Sequence, residues 1–293
     1  MGDNGAIERI DTLIIGGGQA GLAAAYHLKR RGLPYAILDA DERIGDHWRE
    51  RWDSLKLYSP ARYDSLPGMQ FPGPSFRWPT GREMGDYLEA YARKLDLPVR
   101  SGTRVQRVEP VDGGFVATTA DGSRLAARQV IIATGPFRQP NVPAFAGELD
   151  ASIRQLHSHE YRNPSQLREG PVLVVGLSHS GADIALEAAV AGHRTFLSGK
   201  SHGQMPMRVT DTKRAIPGWP IVEFVFGHVM TLRTPIGRKM RPEVRKGGGP
   251  LLRVRLGDLD RAGVERHDDK TVGVKNGRPM LADGTVLDVA NVI

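Results

Sequence analysis

The sequence of 293 residues contains no cysteine. Its residues therefore exclude a disulfide framework, a thiolate metal site and a dithiol–disulfide relay. One short histidine pair, His157 and His159, has no clustered carboxylates beside it. Because a structural or catalytic zinc site needs a larger set of ligands, we expect no metal.

The sequence also lacks any apolar run approaching the roughly 18 residues that cross a bilayer. The N-terminus carries acidic residues and enters an apolar strand pattern at once, unlike a signal peptide. We therefore expect a cytoplasmic protein that has no membrane span.

Acidic residues are the minority, with 33 Asp and Glu against 40 Lys and Arg, so the net charge is +7. The basic residues are scattered, and no basic motif with interleaved aromatic residues is present. We therefore expect no nucleic-acid partner, whereas a basic surface favours anionic ligands that carry phosphate.

What the sequence does contain is a glycine-rich turn between a strand pattern and a helix pattern. Leu13–Ile15 predict a buried parallel strand, and Gly16, Gly18 and Gly21 follow with the spacing G-x-G-x-x-G. The first glycine permits a tight turn, the second lets backbone approach a pyrophosphate, and the third lets helix and strand pack closely. The helix N-terminus then offers free N–H groups to the diphosphate.

An acidic residue completes this first pattern. The next predicted strand, Tyr35–Leu38, ends at Asp39, about 20 residues beyond the glycines. A carboxylate at this position accepts hydrogen bonds from ribose hydroxyls and repels a 2′-phosphate. The first site is therefore predicted to bind FAD or NAD(H) and to disfavour NADP(H).

A second copy of the pattern spans Val172–Ala185, with the sequence VLVVGLSHSGADIA. Gly176 and Gly181 keep the spacing, but Ser178 occupies the position of the middle glycine. The serine side chain would crowd a pyrophosphate, although its hydroxyl could donate to a phosphate oxygen. The pattern therefore predicts either a second dinucleotide site or a purely structural strand–turn–helix.

The strand after this second turn does not end in an acid. Ser198, Lys200 and Ser201 stand there instead, a set able to meet a 2′-phosphate. We therefore assign FAD to the first loop and NADPH to the second.

The chain also contains an internal repeat. Residues 120–135 and 282–293 share an Asp-Gly turn, a leucine and a Val-Ile strand, so that Val130-Ile131 aligns with Val292-Ile293. The first copy continues into an Ala-Thr-Gly turn, while the second stops. We therefore expect that the chain is truncated, and that a longer form binds FAD more tightly.

These patterns predict an α/β fold with two Rossmann-like domains of three layers (ββα), the second inserted in the first. We expect an FAD-binding domain at 1–165 and an NADPH-binding domain at 166–293. An insertion at 201–255 is expected within the second domain.

Further segments join the two loops in resembling a known family. They are GDHWRERWDSLKLYSPARYDSLPGMQFPG at 45–73, WPTGREMGDYLEAYARKLDLPV at 78–99, IIATG at 131–135 and HSHEYRNP at 157–164. The chain resembles the class B flavin-containing monooxygenases, especially the plant auxin-forming enzymes and bacterial flavoproteins often labelled as potassium-transport-associated. The resemblance covers essentially the whole chain.

This resemblance implies an NADPH-dependent flavin monooxygenase. In that family NADPH reduces bound FAD, and a hydroperoxyflavin then transfers one oxygen atom from O2 to a small organic substrate. The implied FAD contacts are Gly16, Gly18, Gln19, Ala20, Gly21, Asp39, Trp48, Arg49, Val105, Thr134 and Gly135. The implied NADPH contacts are Gly176, Ser178, Ser180, Gly181, Ser198 and Lys200.

The chain departs from the family at two places. The fingerprint F-x-G-x-x-x-H-x-x-x-Y keeps His157 and Tyr161, but Ala151 and Ile153 replace its phenylalanine and glycine. Tyr58 aligns with the asparagine that animal members keep near the flavin. Both departures concern oxygen transfer more than cofactor binding.

Two other functions stay open at this stage. One is an FAD and NADPH reductase that passes electrons to an acceptor without a cysteine relay, and the other is a non-catalytic flavin-bound regulator. The sequence identifies no catalytic residue, no substrate and no oligomeric state, so a homodimer is possible. The apolar run Gly218–Leu232 fits a substrate lid, a dimer contact or ordinary core packing.

Overall fold

The computed structural model describes residues 7–135, 140–205, 212–245 and 249–293. The chain divides into two compact units. Unit 1 comprises residues 1–51 and 55–139, and unit 2 comprises residues 52–54 and 140–293. The insertion expected at 201–255 lies partly outside the described residues.

The described residues of unit 1 form a six-stranded sheet, three α-helices and a short 3-10 helix at Ala61–Tyr63. The helices are α1 (Gln19–Arg30), α2 (Asp46–Arg49) and α3 (Gly81–Lys94). The strands are β1 (Glu8–Ile15), β2 (Tyr35–Leu38), β3 (Val99–Arg100), β4 (Val105–Val111), β5 (Gly114–Thr119) and β6 (Arg124–Ile132).

The sheet of unit 1 has the order β3-β2-β1-β6-β5-β4. Its β1 lies parallel to both β2 and β6, whereas β4, β5 and β6 form an antiparallel meander. Leu13 and Ile14 on β1 are fully buried, as expected for a parallel strand covered on both faces. Leu22 and Ala25 of α1 pack against this sheet in the same core cluster as Ile14.

A capped helix supports the middle of unit 1. Thr80 and Glu83 form a capping box at the start of α3, so the chain itself satisfies that helix N-terminus. Tyr87 and Tyr91 of α3 are buried, and their hydroxyls donate to the backbone carbonyls of Met69 and Pro67. These bonds hold the irregular segment 55–80 against the helix.

Unit 2 contains a five-stranded sheet and a separate hairpin of two strands. Its strands are β7 (Arg154–Gln155), β8 (Val172–Val175), β9 (Thr195–Ser198), β10 (Glu265–His267), β11 (Thr271–Lys275), β12 (Arg278–Leu281) and β13 (Asn291–Val292). The helices are α4 (His179–Val190), α5 (Thr212–Phe224), a π-helix (Val225–Val229), α6 (Pro235–Arg245) and α7 (Leu256–Arg261).

The two sheets repeat one arrangement. Unit 2 has the order β10-β9-β8-β13-β7, in which the first four strands correspond to β3-β2-β1-β6 of unit 1. Val130 pairs with Leu13 in unit 1, and Val292 pairs with Leu173 at the matching position in unit 2. The registers therefore agree with the alignment of the internal repeat, and the expected α/β fold with parallel sheets is confirmed.

The compact units divide at 139/140, earlier than the expected domain boundary at 165/166. The reason is β7, whose residues Arg154 and Gln155 pair in parallel with Asn291 and Val292 of β13. The segment 140–165 therefore completes the sheet of unit 2. Among the described residues, no helix is long and apolar enough to cross a membrane.

We predict that Gly21→Ala and Gly181→Ala each destabilise the fold. A Cβ atom at Gly21 would lie 1.9 Å from the carbonyl oxygen of Gly16, and one at Gly181 would lie 1.9 Å from that of Gly176. Backbone must shift to relieve such overlap, so each free energy of unfolding should fall by about 1–3 kcal/mol. Urea unfolding measures this loss.

Gly147→Ala is the matched control, because a Cβ there meets no atom within 4 Å. Its free energy of unfolding should stay within about 0.5 kcal/mol of the parent value. Equal stability of all three variants would contradict the close approach of strand turn and helix.

Candidate dinucleotide-binding sites

The first candidate site is the turn that joins β1 to α1. Gly16 has a φ angle of +109°, which only glycine adopts readily, and its amide donates to the carbonyl of Leu38 at 2.8 Å. The carbonyl of Gly18 accepts the first helical bond, from Leu22 at 2.9 Å. The turn is thus tied to the end of β2 on one side and enters α1 on the other.

The N-terminus of α1 carries no cap from the chain. Gly18 is the N-cap residue, no side chain bonds to the cap, and the first turn holds no acidic residue. The first amides of a helix have no partner within it, and they carry a partial positive charge. In contrast to α3, α1 therefore presents its amides, at the exposed Gln19 and Ala20, to an anion.

Gly18 differs from the other two glycines of the motif. A Cβ at Gly18 would make only an ordinary contact, 3.5 Å from Cε1 of His47, and its φ angle of −77° suits any residue. The fold itself therefore does not require glycine at this position. A glycine here is instead explained by a ligand, such as a pyrophosphate, that approaches the backbone of Gly18 closely.

His47 is a residue that the motif analysis missed. It faces Gly18, and its Nδ1 lies 3.7 Å from the carboxylate of Asp41. Its position directly before Trp48 in the G-x-x-W-R segment was the available signal. The imidazole is thus placed beside the surface that the Gly18 backbone leaves open.

Asp39 ties the turn to the end of β2. The side chain is buried; one carboxylate oxygen accepts from the amide of Gly17, and the other accepts from the amide of Asp41 at 2.8 Å. These bonds fix the carboxylate between the glycine turn and the segment that follows β2. The acid is held in place before any ligand binds.

Two other predicted segments lie against the same turn. Thr134 and Gly135 follow β6, and the added Cβ at Gly16 would lie 3.1 Å from the amide of Thr134. Val105 begins β4, two residues beyond Thr103, whose amide donates to the carbonyl of Asp39 at 2.7 Å. The fold therefore brings these segments to the predicted FAD site.

Trp48 and Arg49 separate in the structure. The indole Nε1 of Trp48 donates to Oε1 of Gln19 at 3.3 Å, at the start of α1. The guanidinium of Arg49 instead binds the carboxylates of Asp46, Asp86 and Glu89 at 2.9, 2.9 and 3.1 Å. The charge of Arg49 thus joins α2 to α3, and its contact with FAD stays a prediction.

The second candidate site, between β8 and α4, repeats the first turn closely. Gly176 has a φ angle of +110°, and its amide donates to the carbonyl of Ser198 at 2.8 Å. The carbonyl of Ser178 accepts from Ala182 at 2.9 Å, and Ser178 is the N-cap residue of α4. The Ser178 hydroxyl makes no cap bond, and the first turn of α4 has no acid, so this helix also presents its amides.

The two sites differ at one equivalent position. Because the first turn bonds to Leu38 and the second to Ser198, Gly199 corresponds to Asp39. Gly199 has a φ angle of +135°, and a Cβ there would lie 2.8 Å from the amide of Leu177. Unit 2 therefore excludes a carboxylate at this position, and the exposed Lys200 follows it.

Ser198 does not face this site. Its side chain is fully buried, and its hydroxyl lies 2.7 Å from that of Thr271 on β11. The predicted contact between Ser198 and a phosphate is not supported by this orientation of the side chain. Lys200, Ser178 at the N-cap of α4 and Ser180 in its first turn stay the predicted contacts to the nucleotide.

The remaining fingerprint residues are structural anchors of unit 2. Tyr161 is fully buried, burial raises its pKa, and its hydroxyl donates to Glu187 of α4 at 3.1 Å. Burial also raises the pKa of Glu187. His157 accepts from the amide of His159 at 3.1 Å through Nδ1, and within the described ranges no cluster of residues could hold a metal.

A comparison with protein families decides the identity of this paired-turn fold. The pattern of the pyridine nucleotide-disulphide oxidoreductases matches residues 13–224. The chain belongs to this family. The chain is similar to an uncharacterized CzcO-like oxidoreductase of Geobacillus kaustophilus, with 37% identity over 97% of the chain and 79% of that relative.

Flavin monooxygenases are among the similar members. The indole-3-pyruvate monooxygenase YUCCA1 of Oryza sativa subsp. japonica is 29% identical over 98% of the chain and 70% of its own length. The solved flavin-containing monooxygenase from Stenotrophomonas maltophilia is 28% identical, with a TM-score of 0.70 over 98% of the chain and 77% of that structure. The expected oxidoreductase class and the FAD and NADPH pair are confirmed at the level of the family.

We predict that Gly18→Val abolishes FAD binding without destabilising the fold. The Cβ atom makes only an ordinary contact with His47, but the branched side chain blocks the surface through which a pyrophosphate approaches backbone. The flavin absorbance of the purified variant and its urea midpoint measure the two effects. Retention of a full flavin spectrum would show that the first turn does not bind the cofactor.

Proposed function

We propose that the chain is an FAD-dependent oxidoreductase that uses NADPH and O2 to oxygenate a small organic substrate. The observation that carries this proposal is the pair of matching, uncapped strand–turn–helix units, with Asp39 in one and Gly199 in the other at the same position. The paired geometry supports two dinucleotides, and the single difference supports two kinds of dinucleotide.

The FAD site is proposed in unit 1. The amides at the start of α1 and the bare backbone of Gly18 bind the pyrophosphate, and Asp39 accepts hydrogen bonds from the ribose. His47 adds a donor beside Gly18, and Trp48 fixes Gln19 at the helix start. These groups orient the cofactor before any redox step.

The NADPH site is proposed in unit 2. The amides of α4 bind the pyrophosphate, and the Ser178 hydroxyl, which is not used as a cap, donates to a phosphate oxygen. No carboxylate at Gly199 repels a 2′-phosphate, and Lys200, the next residue, supplies an ammonium group.

Bound flavin supplies the chemistry, since it takes a hydride from a reduced nicotinamide and then delivers electrons to O2. The relatives named as monooxygenases favour oxygen transfer to a small molecule over reduction of a disulfide. The absence of cysteine from residues 1–293 agrees with this, because none of them can form a redox-active disulfide.

We predict that Lys200→Ala weakens NADPH binding by about 1–3 kcal/mol and leaves NADH nearly unchanged, because only NADPH carries the 2′-phosphate. Titration of the holoenzyme with both nucleotides gives the two dissociation constants. Lys275→Ala removes an exposed lysine elsewhere in unit 2 and should change neither constant. Equal losses for both nucleotides would show that Lys200 does not contact the 2′-phosphate.

The oxygenation itself is tested with purified holoenzyme, NADPH and a panel of thioethers, amines and α-keto acids. We expect one panel member to accelerate O2 uptake and to yield one oxygenated product per NADPH oxidised. Fast reduction of a quinone or protein acceptor without O2 uptake would instead identify a reductase. FAD binding with no turnover under any condition would identify a regulator.

A further inference from the structure

Unit 2 carries an exposed helical segment, residues 218–242, that belongs to neither dinucleotide turn. It runs from the second half of α5 through the π-helix to α6. Large apolar side chains are more than half exposed along it: Ile221, Phe224, Phe226, Leu232 and Ile236. Soluble proteins rarely leave so many large apolar side chains on one short segment without a partner.

A hydrogen-bonded turn precedes α6 in this helical segment. Thr234 caps α6, since its hydroxyl oxygen accepts from the amide of Gly237 at 3.0 Å, and its single O–H lies within hydrogen-bond distance of the carbonyls of Val229 and Thr231. A Cβ at Gly237 would lie 2.0 Å from the carbonyl oxygen of Thr231, so the turn and α6 are in direct contact. The turn at residues 230–234 therefore packs directly against the start of α6.

Basic residues accompany the apolar ones. Residues 218–242 contain four basic side chains and one acidic side chain, and they are Arg233, Arg238, Lys239, Arg241 and Glu223. On α6, Ile236, Lys239 and Met240 have the spacing i, i+3, i+4, which places an ammonium group on the same helix face as two apolar side chains.

We propose that the 218–242 helical segment docks this protein on the surface of a membrane that contains anionic lipids. A segment that carries exposed apolar and aromatic side chains together with basic ones is typical of helices that lie in the lipid interface. A second copy of the chain fits less well, because it would bring the same excess of positive charge and a net charge of +7 to the contact.

Cosedimentation of the holoenzyme with vesicles tests this docking. We expect binding to vesicles of phosphatidylcholine mixed with phosphatidylglycerol, little binding to phosphatidylcholine alone, and a loss of binding as salt is added. The double variant Phe224→Ser/Phe226→Ser should lower the partition coefficient by about tenfold or more. Arg238→Glu/Lys239→Glu should lower it by a similar factor.

Two exposed positions outside residues 218–242 supply matched controls. Val190→Ser removes an exposed apolar side chain at the end of α4, and Lys275→Glu reverses an exposed charge on β11. Both should keep the parent partition coefficient, and circular dichroism checks that every variant is folded. None of these readouts depends on enzyme activity.

Equal binding to both kinds of vesicle would overturn the proposal. An equal loss of vesicle binding in the variants at residues 218–242 and in the control variants would also overturn it. So would a failure of the parent protein to bind the mixed vesicles. Sedimentation equilibrium tests the alternative that a second copy of the chain binds this segment. If the protein does not bind vesicles and forms a dimer that Phe224→Ser dissociates, residues 218–242 serve self-association.

Discussion

The close approach of a helix to the strand turn before it is the constraint on which both units depend. In each unit the last glycine of the motif lies against the carbonyl of the first, where a Cβ atom would be 1.9 Å from that oxygen. This contact directs the uncapped helix N-terminus toward the carboxyl end of the parallel sheet. A dinucleotide binds at that edge in open α/β folds, so one steric requirement positions both candidate sites.

The two sites diverge through backbone conformation as much as through charge. Asp39 accepts from the amides of Gly17 and Asp41, so its carboxylate fixes the first turn. Gly199 occupies the same place in unit 2 with a backbone that resists any side chain. In the proposed NADPH site, selectivity for a 2′-phosphate begins with the exclusion of an acid, and Lys200 adds attraction to it.

The sequence predicted those features that follow from backbone geometry and from burial. Glycine spacing, the apolar strands and the Asp-Gly repeat located both turns and even the pairing register of Val130 and Val292. Side-chain direction was not predictable in the same way. Arg49 binds carboxylates on α3, far away in sequence, because a mostly buried guanidinium needs opposite charges, and no local pattern reveals which helix supplies them.

Ser198 shows the same limit on a smaller scale. All four residues of β9 are buried, so alternation along the strand gives no clue to which side chains face a ligand. Its hydroxyl needs a partner inside the protein and finds Thr271, which lies on a strand that the motif analysis did not connect with the turn. His47 is the opposite case, because a side chain outside the glycine motif reaches the site through the helix that follows β2. Motif spacing thus locates the backbone of a nucleotide site, whereas its side chains depend on partners that only the folded sheet brings together.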